Sequence, residues 1–176
     1  MKIITFLGNP GKKYSRNRHN LGFIIGKHFT DKYSITLNQR SFSSFSGSSK
    51  INDTNILTLF PQTYMNNSGI AVKSVMEYYK ENPENLLVIH DEIELPFGEF
   101  RTKFSGGHRG HNGLRSIIQH INTHDFNRIR FGVGRPINSE ITVADYLLSN
   151  FNIEELNKIE ELTSDTINEI ISFIKE

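Results

Sequence analysis

The chain has 176 residues, 36% of them hydrophobic, and a formal net charge of +1, which predicts one folded domain with a substantial core rather than a disordered chain. Because the sequence contains no cysteine, disulfides, thiolate catalysis and cysteine-based zinc sites are excluded. No stretch approaches the roughly 18 apolar residues of a membrane span, and the apolar run after Met1 is too short for a signal peptide, so we expect a cytoplasmic protein.

Hydrophobic spacing and turn residues predict strands and helices that alternate along the chain. Strands are expected at residues 2–7, 55–60, 86–90, 100–104 and 128–133. Helices are expected at residues 21–33, 68–80, 143–148 and from about 152 onward, and another apolar run at helical spacing begins at 114. Residues 41–49, rich in serine and phenylalanine, could form an edge strand or a mobile loop. Since no repeat or linker divides the chain, we expect one α/β domain over residues 1–176.

Two of the predicted helices begin with residues that are typical of helix caps. Ser68 is placed to cap the helix that follows it. Asn152 and Glu155 have the spacing of a capping box. The helix after this capping box is amphipathic, with an apolar face between residues 156 and 173.

The net charge of +1 hides a strong segregation of basic and acidic residues. Residues 101–135 contain seven basic residues and one acid, and residues 11–20 contain four basic residues and no acid. Residues 140–176 contain nine acids and two lysines, as is usual for a solvated face. The basic block overlaps a glycine-rich loop at residues 105–114, so we expect a polyanionic partner, of which nucleic acid is the commonest.

Polar side chains follow the ends of several predicted strands. In open α/β sheets, ligands bind beyond the carboxyl ends of the strands. Glycines in the loop at residues 105–114 would let a ligand approach the backbone closely. If the polar segments converge, they form one site with histidine, aspartate and several asparagines but no thiol. The segments are Asn9, His19–Asn20, residues 64–67, residues 90–92 and His111–Asn112.

Five short motifs occur in order along the chain and carry a resemblance to a known family. They are Leu-Gly-Asn-Pro-Gly at 7–11, Tyr-x-x-x-Arg-His-Asn-x-Gly at 14–22, Pro-x-Thr-Tyr-Met-Asn-x-Ser-Gly at 61–69, His-Asp-Glu-x-x-Leu-Pro at 90–96 and Gly-His-Asn-Gly-Leu at 110–114. Together they resemble the bacterial peptidyl-tRNA hydrolases over residues 3 to about 148. The resemblance implies hydrolysis of the ester that joins a peptide to the 3′-terminal ribose of tRNA, which recycles tRNA from stalled translation. It also implies a monomer without metal or cofactor, and a twisted, mostly parallel mixed sheet flanked by helices, of the phosphorylase/hydrolase-like type.

The resemblance places the general base on His19 and its partner on Asp91. An ester of a ribose hydroxyl is activated enough for direct attack by water, which requires a base whose pKa lies near neutrality. Asp91 would accept a hydrogen bond from the second ring nitrogen of His19, fix its tautomer and stabilise the imidazolium. His111 is expected to support the geometry of the glycine-rich loop rather than to take the proton. A histidine before a helix can also be a surface residue or cap, and an aspartate a plain turn residue.

The resemblance also implies contacts to the 3′ end of the substrate. Asparagine amides hold an ester or a water molecule without adding charge, and Asn66 and Asn112 correspond to residues that bind the 3′ end. Asn9 corresponds to a residue that helps to distinguish a peptidyl group from a free aminoacyl group. Tyr14 and Tyr64 correspond to tRNA contacts, and their rings suit the terminal bases. All five side chains could instead serve turns or packing.

The basic residues would recognise the rest of the tRNA. Lys103 and Arg130 fall at positions that engage the 5′-phosphate of the acceptor stem in the family, although alternation with apolar neighbours also fits exposed strand positions. Contacts of this kind respond to phosphate and A-form shape more than to base sequence. Further candidates, by charge alone, are Arg101, Arg109, Arg115 and Arg128.

The sequence departs from the family pattern at three places. Asn17 stands where threonine is usual, and Arg109 stands where glycine or alanine is usual. Residues 135–140 lack a lysine that some members use on tRNA. These departures concern the tRNA footprint and not the catalytic residues.

Three other classes of protein fit the sequence less well. A metal hydrolase would use His108 and His111, a poor ligand pair in a glycine loop, with Asp91 and Glu92 completing the site. A serine hydrolase would need the motif Gly-x-Ser-x-Gly, which is absent. Residues 107–110 match the Gly-x-x-Gly of RNA-binding KH loops, and such a binding module would need no catalytic pair.

Overall fold

A mixed sheet of six strands forms the centre of the molecule, for which the computed structural model describes residues 1–176. The strands are β1 (Lys2–Phe6), β2 (Ser44–Ile51), β3 (Thr54–Pro61), β4 (Leu86–Glu92), β5 (Phe100–Phe104) and β6 (Asn127–Gly132). The helices are α1 (Leu21–Lys32), α2 (Ser68–Tyr79), α3 (Asn112–Ile121), α4 (Val143–Leu147) and α5 (Ile153–Lys175). None of these helices combines the length and the apolar character that crossing a membrane would require.

The strands lie in the order β2-β3-β1-β4-β6-β5. The three inner pairings are parallel, whereas the outer strands β2 and β5 run antiparallel to their neighbours. This arrangement confirms the predicted mostly parallel mixed sheet flanked by helices. Because the inner strands are parallel, their carboxyl ends share one edge of the sheet, where ligands bind in folds of this kind.

Apolar layers cover both faces of the sheet. Helices α1 and α5 pack on one face, and α2 and α3 pack on the other. Along β4, Leu87 and Ile89 belong to the first layer, and Leu86 and Val88 belong to the second. A strand that is buried on both faces must be continuously apolar, which explains why residues 86–89 show no polar alternation.

The predicted strands and helices are present, and the structure decides one ambiguous segment and two predicted helix caps. Of the two interpretations of residues 41–49, the edge strand is confirmed for residues 44–49, which lie in β2 and pair with β3. The prediction of Ser68 as a cap is wrong, because its hydroxyl donates to the Met65 carbonyl at 2.8 Å in a preceding 3₁₀ turn and α2 begins at Ser68 itself. The capping box of Asn152 and Glu155 is confirmed, with both reciprocal hydrogen bonds formed.

Two glycines allow close approaches that position the site. A Cβ at Gly22 would lie 2.5 Å from the carbonyl oxygen of Leu7 and 2.6 Å from that of Ile89, so only glycine lets α1 begin directly over β1 and β4. A Cβ at Gly69 would lie 2.2 Å from the carbonyl oxygen of Ser116, where α2 contacts α3. These approaches bring the turns before α1 and α2 together with the start of α3 at the carboxyl edge of the sheet.

Candidate active site

The polar segments that follow the strands converge at the carboxyl edge of the sheet, as the sequence predicts. Asn9, after β1, is joined to Asn20 by two hydrogen bonds of 2.9 Å, one from the Asn9 N–H to the Asn20 amide oxygen and one from the Asn20 amide nitrogen to the Asn9 carbonyl. The Asn9 amide oxygen also accepts from the backbone N–H of Met65 at 2.7 Å. Asn9 therefore links the turns that precede α1 and α2, with Asn20 as a partner to which the sequence assigned no role.

His19 and Asp91 form a buried pair at the centre of this edge. His19 lies in the 3₁₀ turn Arg18–Asn20, and Asp91 is the penultimate residue of β4. The Nδ1 atom of His19 lies 2.9 and 3.0 Å from the two carboxylate oxygens of Asp91. The side chains are 8% and 1% exposed, so only the histidine retains an opening toward solvent.

His111 is a second histidine partner of Asp91. Its Nε2 lies 2.9 Å from Asp91 Oδ1, while its Nδ1 accepts from the N–H groups of Gly113 and Leu114 at 3.1 and 3.3 Å. Because Nδ1 accepts, the neutral ring carries its proton on Nε2 and donates it to Asp91. His111 thus supports the loop and caps α3, although histidine is not a typical cap residue. No sequence signal indicates its hydrogen bond to the Asp91 carboxylate.

The same carboxylate fixes the tautomer of His19. An ionised carboxylate can only accept hydrogen bonds, so the Nδ1 of His19 must donate. The lone pair of the neutral ring then lies on Nε2, which makes no hydrogen bond within the protein. The site therefore presents one oriented basic nitrogen, the Nε2 of His19.

Burial and charge act in opposite directions on the pKa values of this cluster. Burial would raise the pKa of Asp91, but the facing His19 and His111 outweigh it and hold that pKa well below its ordinary value. Burial also opposes a charge on His19, but the Asp91 carboxylate outweighs it, so the pKa of His19 is raised. Burial and the neighbouring His111 lower the pKa of His90 to about 3, which keeps His90 neutral. The cluster thus combines a permanent carboxylate with a histidine that is more basic than usual.

The side chains expected to bind substrate lie around this pair. Asn66 and Asn112 are exposed in the turn before α2 and in the first turn of α3. The rings of Tyr14 and Tyr64 meet edge to face with centroids 6.3 Å apart, and Tyr64 is 57% exposed. The amide NH₂ of Asn9 makes no hydrogen bond within the protein. Exposed amides and aromatic rings beside a base are groups that can hold a polar, planar ligand.

Four basic side chains share one face of the β5–β6 pair. Lys103 lies opposite Arg128, and Arg101 lies opposite Arg130. Arg130 approaches Glu92 at 3.8 Å. The expectation that Arg128 contacts a tRNA phosphate is wrong: it is 2% exposed and donates to two carbonyls of the glycine-rich loop. These two hydrogen bonds join the glycine-rich loop to β6, so Arg128 stabilises the loop.

One cluster of residues could offer ligands to a metal ion, namely His19, Asp91 and His111, with ligand atoms within 4.8 Å of one another. Both histidines direct N–H groups at the carboxylate, and His111 would have to give up its contacts to α3 to turn a lone pair toward an ion. His108 is not a member of this cluster, and its Nδ1 accepts from the Gly110 N–H at 3.0 Å. This donor set fits proton transfer better than metal ligation.

A small cavity of about 120 Å³ opens beside the cluster of His19, Asp91 and His111. Its lining includes Asp91, Ile93 and His111 together with Val143 and Leu147 of α4. A larger cavity of about 240 Å³, between the end of α5 and the opposite edge of the sheet, contains no histidine. The helix α4 is thus one wall of the space next to the base.

Comparisons with known proteins match the whole length of this fold. The family model described as peptidyl-tRNA hydrolase matches residues 3–176. The peptidyl-tRNA hydrolase of Bacillus subtilis (strain 168) is 41% identical over 95% of this chain and 88% of its own length. That of Aliarcobacter butzleri (strain RM4018) is 46% identical over 97% of this chain and 90% of its own. A crystal structure of peptidyl-tRNA hydrolase with n-propanol matches with a TM-score of 0.92 at 36% identity, over 99% of this chain and 89% of that one.

Proposed function

The chain belongs to the peptidyl-tRNA hydrolase family, and we infer that it hydrolyses the ester between peptide and tRNA, which recycles tRNA from stalled or aborted translation. One observation carries the catalytic assignment. The Asp91 carboxylate accepts from both His19 and His111, which leaves the Nε2 of His19 as the oriented base.

In the reaction, the Nε2 of His19 takes a proton from a water molecule as that water attacks the ester carbonyl carbon. The tetrahedral intermediate then collapses, the bond from the carbonyl carbon to the ribose oxygen breaks, and His19 returns the proton to that oxygen. Asp91 stays ionised throughout and stabilises the imidazolium. The raised pKa of His19 makes its ring a stronger base at the moment of attack.

The asparagines provide the contacts to the acyl group and the terminal ribose. Asn112 stands in the first turn of α3, whose positive end favours the negative charge that develops on the carbonyl oxygen. Asn66 contacts the 3′ end from the turn before α2. The amide oxygen of Asn9 is committed to Met65, so only its NH₂ is available. A donor of this kind binds the carbonyl of a peptidyl group but not the charged amine of a free aminoacyl group.

The tRNA approaches over the exposed rings and the basic face. Tyr14 and Tyr64 contact the terminal bases by stacking, while Lys103 and Arg130 engage the 5′-phosphate. The pair of His19 and Asp91 supplies a base by itself, so the proposed step requires no metal or cofactor, and we propose that the enzyme acts as a monomer. The substrate arises in translation, so we place the enzyme in the cytoplasm.

Release of an N-acetylated aminoacyl group from tRNA, measured with EDTA present, tests this function. The wild-type protein should hydrolyse the acetylated substrate and leave free aminoacyl-tRNA largely intact. His19→Ala should abolish turnover but retain tRNA binding. His28→Ala is the matched control, because His28 lies on α1 and makes no side-chain hydrogen bond.

Each alternative class predicts a different result in the same assay. Turnover that disappears with EDTA would indicate a metal enzyme. Binding of tRNA without turnover by the wild-type protein would indicate an RNA-binding module. Unchanged turnover of His19→Ala would remove His19 from the mechanism.

A further inference from the structure

Arg18, the residue before the proposed base, makes four side-chain hydrogen bonds with residues 149–155, which run from the end of α4 into the first turn of α5. Its Nη1 donates to the Ser149 hydroxyl at 2.8 Å and to the Asn150 carbonyl at 2.7 Å. Its Nη2 donates to the two carboxylate oxygens of Glu155 at 2.9 and 3.0 Å. A planar guanidinium that is paired in this way has little freedom to move.

Aromatic rings hold the same guanidinium. Its central carbon lies 4.6 Å from the ring centroid of Tyr146 and 5.2 Å from that of Phe151. The side chain of Arg18 is 12% exposed, so these contacts are stronger than those of a surface ion pair. A lysine would keep the charge but would lose the planar stacking and the paired donors.

The residues beside Arg18 extend this connection along the backbone. Residues 16–18 and 149–151 are joined by two backbone hydrogen bonds of 3.1 and 2.9 Å. Between them, the Asn17 amide nitrogen donates to the Asn150 amide oxygen at 2.7 Å. A threonine at position 17 has no amide group and could not form this pairing. The turn that carries the base and the segment before α5 therefore form one unit.

The residues held by Arg18 follow α4, and α4 contributes to the lining of the cavity beside Asp91. Val143 and Leu147 of α4 line the same cavity as Asp91 and His111. A further hydrogen bond holds α4 in place, from the Tyr146 hydroxyl to the Val133 carbonyl at 2.7 Å. The distance between α4 and the base therefore depends on Arg18.

We propose that Arg18 is a positioning residue that holds His19 against Asp91 and holds α4 over the acyl group of the substrate. It contacts no reacting atom, because its donors point at residues 149–155. The proposal rests on the hydrolase function proposed above. It assigns to Arg18 a role in catalysis that is distinct from tRNA binding, although the residue lies in a basic run.

Replacement of Arg18 should change the pH profile and the response to guanidinium ion, which a loss of stability alone would not change. Arg18→Ala should lower kcat by about 100-fold, the effect of a misplacement of about 1 Å, with a smaller change in KM. The acidic limb of the pH profile of kcat should move to lower pH. His19 loses its contact with the carboxylate of Asp91, which raises its pKa in the wild-type protein. Guanidinium ion should restore part of the kcat of Arg18→Ala, and methylammonium should not. Arg18→Lys should stay at least about tenfold below wild type.

Arg16→Ala is the matched control, because Arg16 is exposed two residues before Arg18 and its side chain makes no hydrogen bond. It removes the same charge and should leave the acidic limb in place. If Arg18→Ala does not fold, Glu155→Gln gives a second test. It removes the partner's charge and keeps an amide oxygen for the capping box, so the limb should shift in the same direction with a loss of several-fold in kcat.

An acidic limb that stays at its wild-type position in the folded variants would overturn the role of Arg18. A kcat loss that circular dichroism attributes wholly to unfolded protein would overturn it too. NMR titration of His19 needs no substrate and separates this proposal from the function. An unshifted His19 titration in Arg18→Ala refutes the positioning role, whereas absent wild-type turnover with the expected titration shift refutes only the hydrolase function.

Discussion

Asp91→Asn exchanges a carboxylate for an amide of the same size, and the structure specifies which hydrogen bond fails. The carboxylate accepts from His19 and from His111, whereas the amide offers one acceptor oxygen and one NH₂ donor. His111 cannot turn its proton away, because its Nδ1 already accepts from two N–H groups of α3. His111 therefore keeps the amide oxygen, and the NH₂ faces the Nδ1 of His19. That nitrogen must become an acceptor, so the proton moves to Nε2 and the base is lost.

The same exchange in a serine-protease triad lowers kcat by about 10⁴-fold through the wrong tautomer. We expect kcat/KM for N-acetyl-aminoacyl-tRNA to fall by roughly 10³–10⁴-fold, which is about 4–5 kcal/mol of transition-state stabilisation. The affinity for tRNA should be unchanged. Long-range ¹H–¹⁵N NMR of the imidazoles should find the proton of His19 on Nδ1 in the wild-type protein and on Nε2 in Asp91→Asn.

A second substitution tests whether His111 decides which nitrogen of His19 carries the proton. In the Asp91→Asn background, His111→Phe removes the competing donor, so the amide oxygen can accept from His19 again. Activity should then rise about tenfold above that of Asp91→Asn, although His111→Phe alone should lower it. The reasoning is refuted if Asp91→Asn stays within tenfold of wild type, if its His19 keeps the proton on Nδ1, or if the double variant shows no recovery.

Four further predictions follow from charge, burial and backbone conformation. Because the proposed base His19 must be neutral to accept a proton and its pKa is raised, wild-type kcat/KM should fall on the acidic side with a midpoint above about 6.5; a midpoint below that value would contradict the pairing. Lys103→Ala with Arg130→Ala should raise KM and reduce its logarithmic salt dependence by up to about two units, and an unaltered slope would remove both residues from the footprint. His90 has a pKa of about 3 in the folded protein and an ordinary one in the unfolded chain, so stability is lost as pH falls below about 6.5. Between pH 7 and pH 5, the wild-type protein should therefore lose about 2 kcal/mol more unfolding free energy than His90→Asn loses. Urea titrations at the two pH values would measure this difference. Arg109 has a φ of 47°, so Arg109→Gly should relieve strain that roughly offsets the added chain entropy, leaving the urea midpoint nearly unchanged; a large destabilisation would show that the arginine side chain supports the loop.

The sequence predicted the fold well wherever local pattern and burial coincide. The continuous apolar run at residues 86–89 forms a strand because both of its faces are covered. The capping box at Asn152 satisfies its own backbone donors and needs no distant partner. Residues 41–49 were ambiguous, because only their pairing with β3 makes them a strand. Ser68 has the sequence of a cap, but the preceding 3₁₀ turn takes its hydroxyl.

The sequence by itself determined which residue types meet at the site, since ordered motifs placed His19, Asp91 and the asparagines at or beyond the carboxyl ends of parallel strands. The tertiary structure alone decided how they are connected. The second histidine on Asp91 comes from 20 residues away, and the carboxylate that pairs with Arg18 comes from 137 residues away. The burial of Arg128 depends likewise on the return of the glycine-rich loop. Periodicity and caps report the nearest neighbours of a residue, whereas tautomers, buried charges and paired donors depend on groups that only the folded chain brings within about 3 Å.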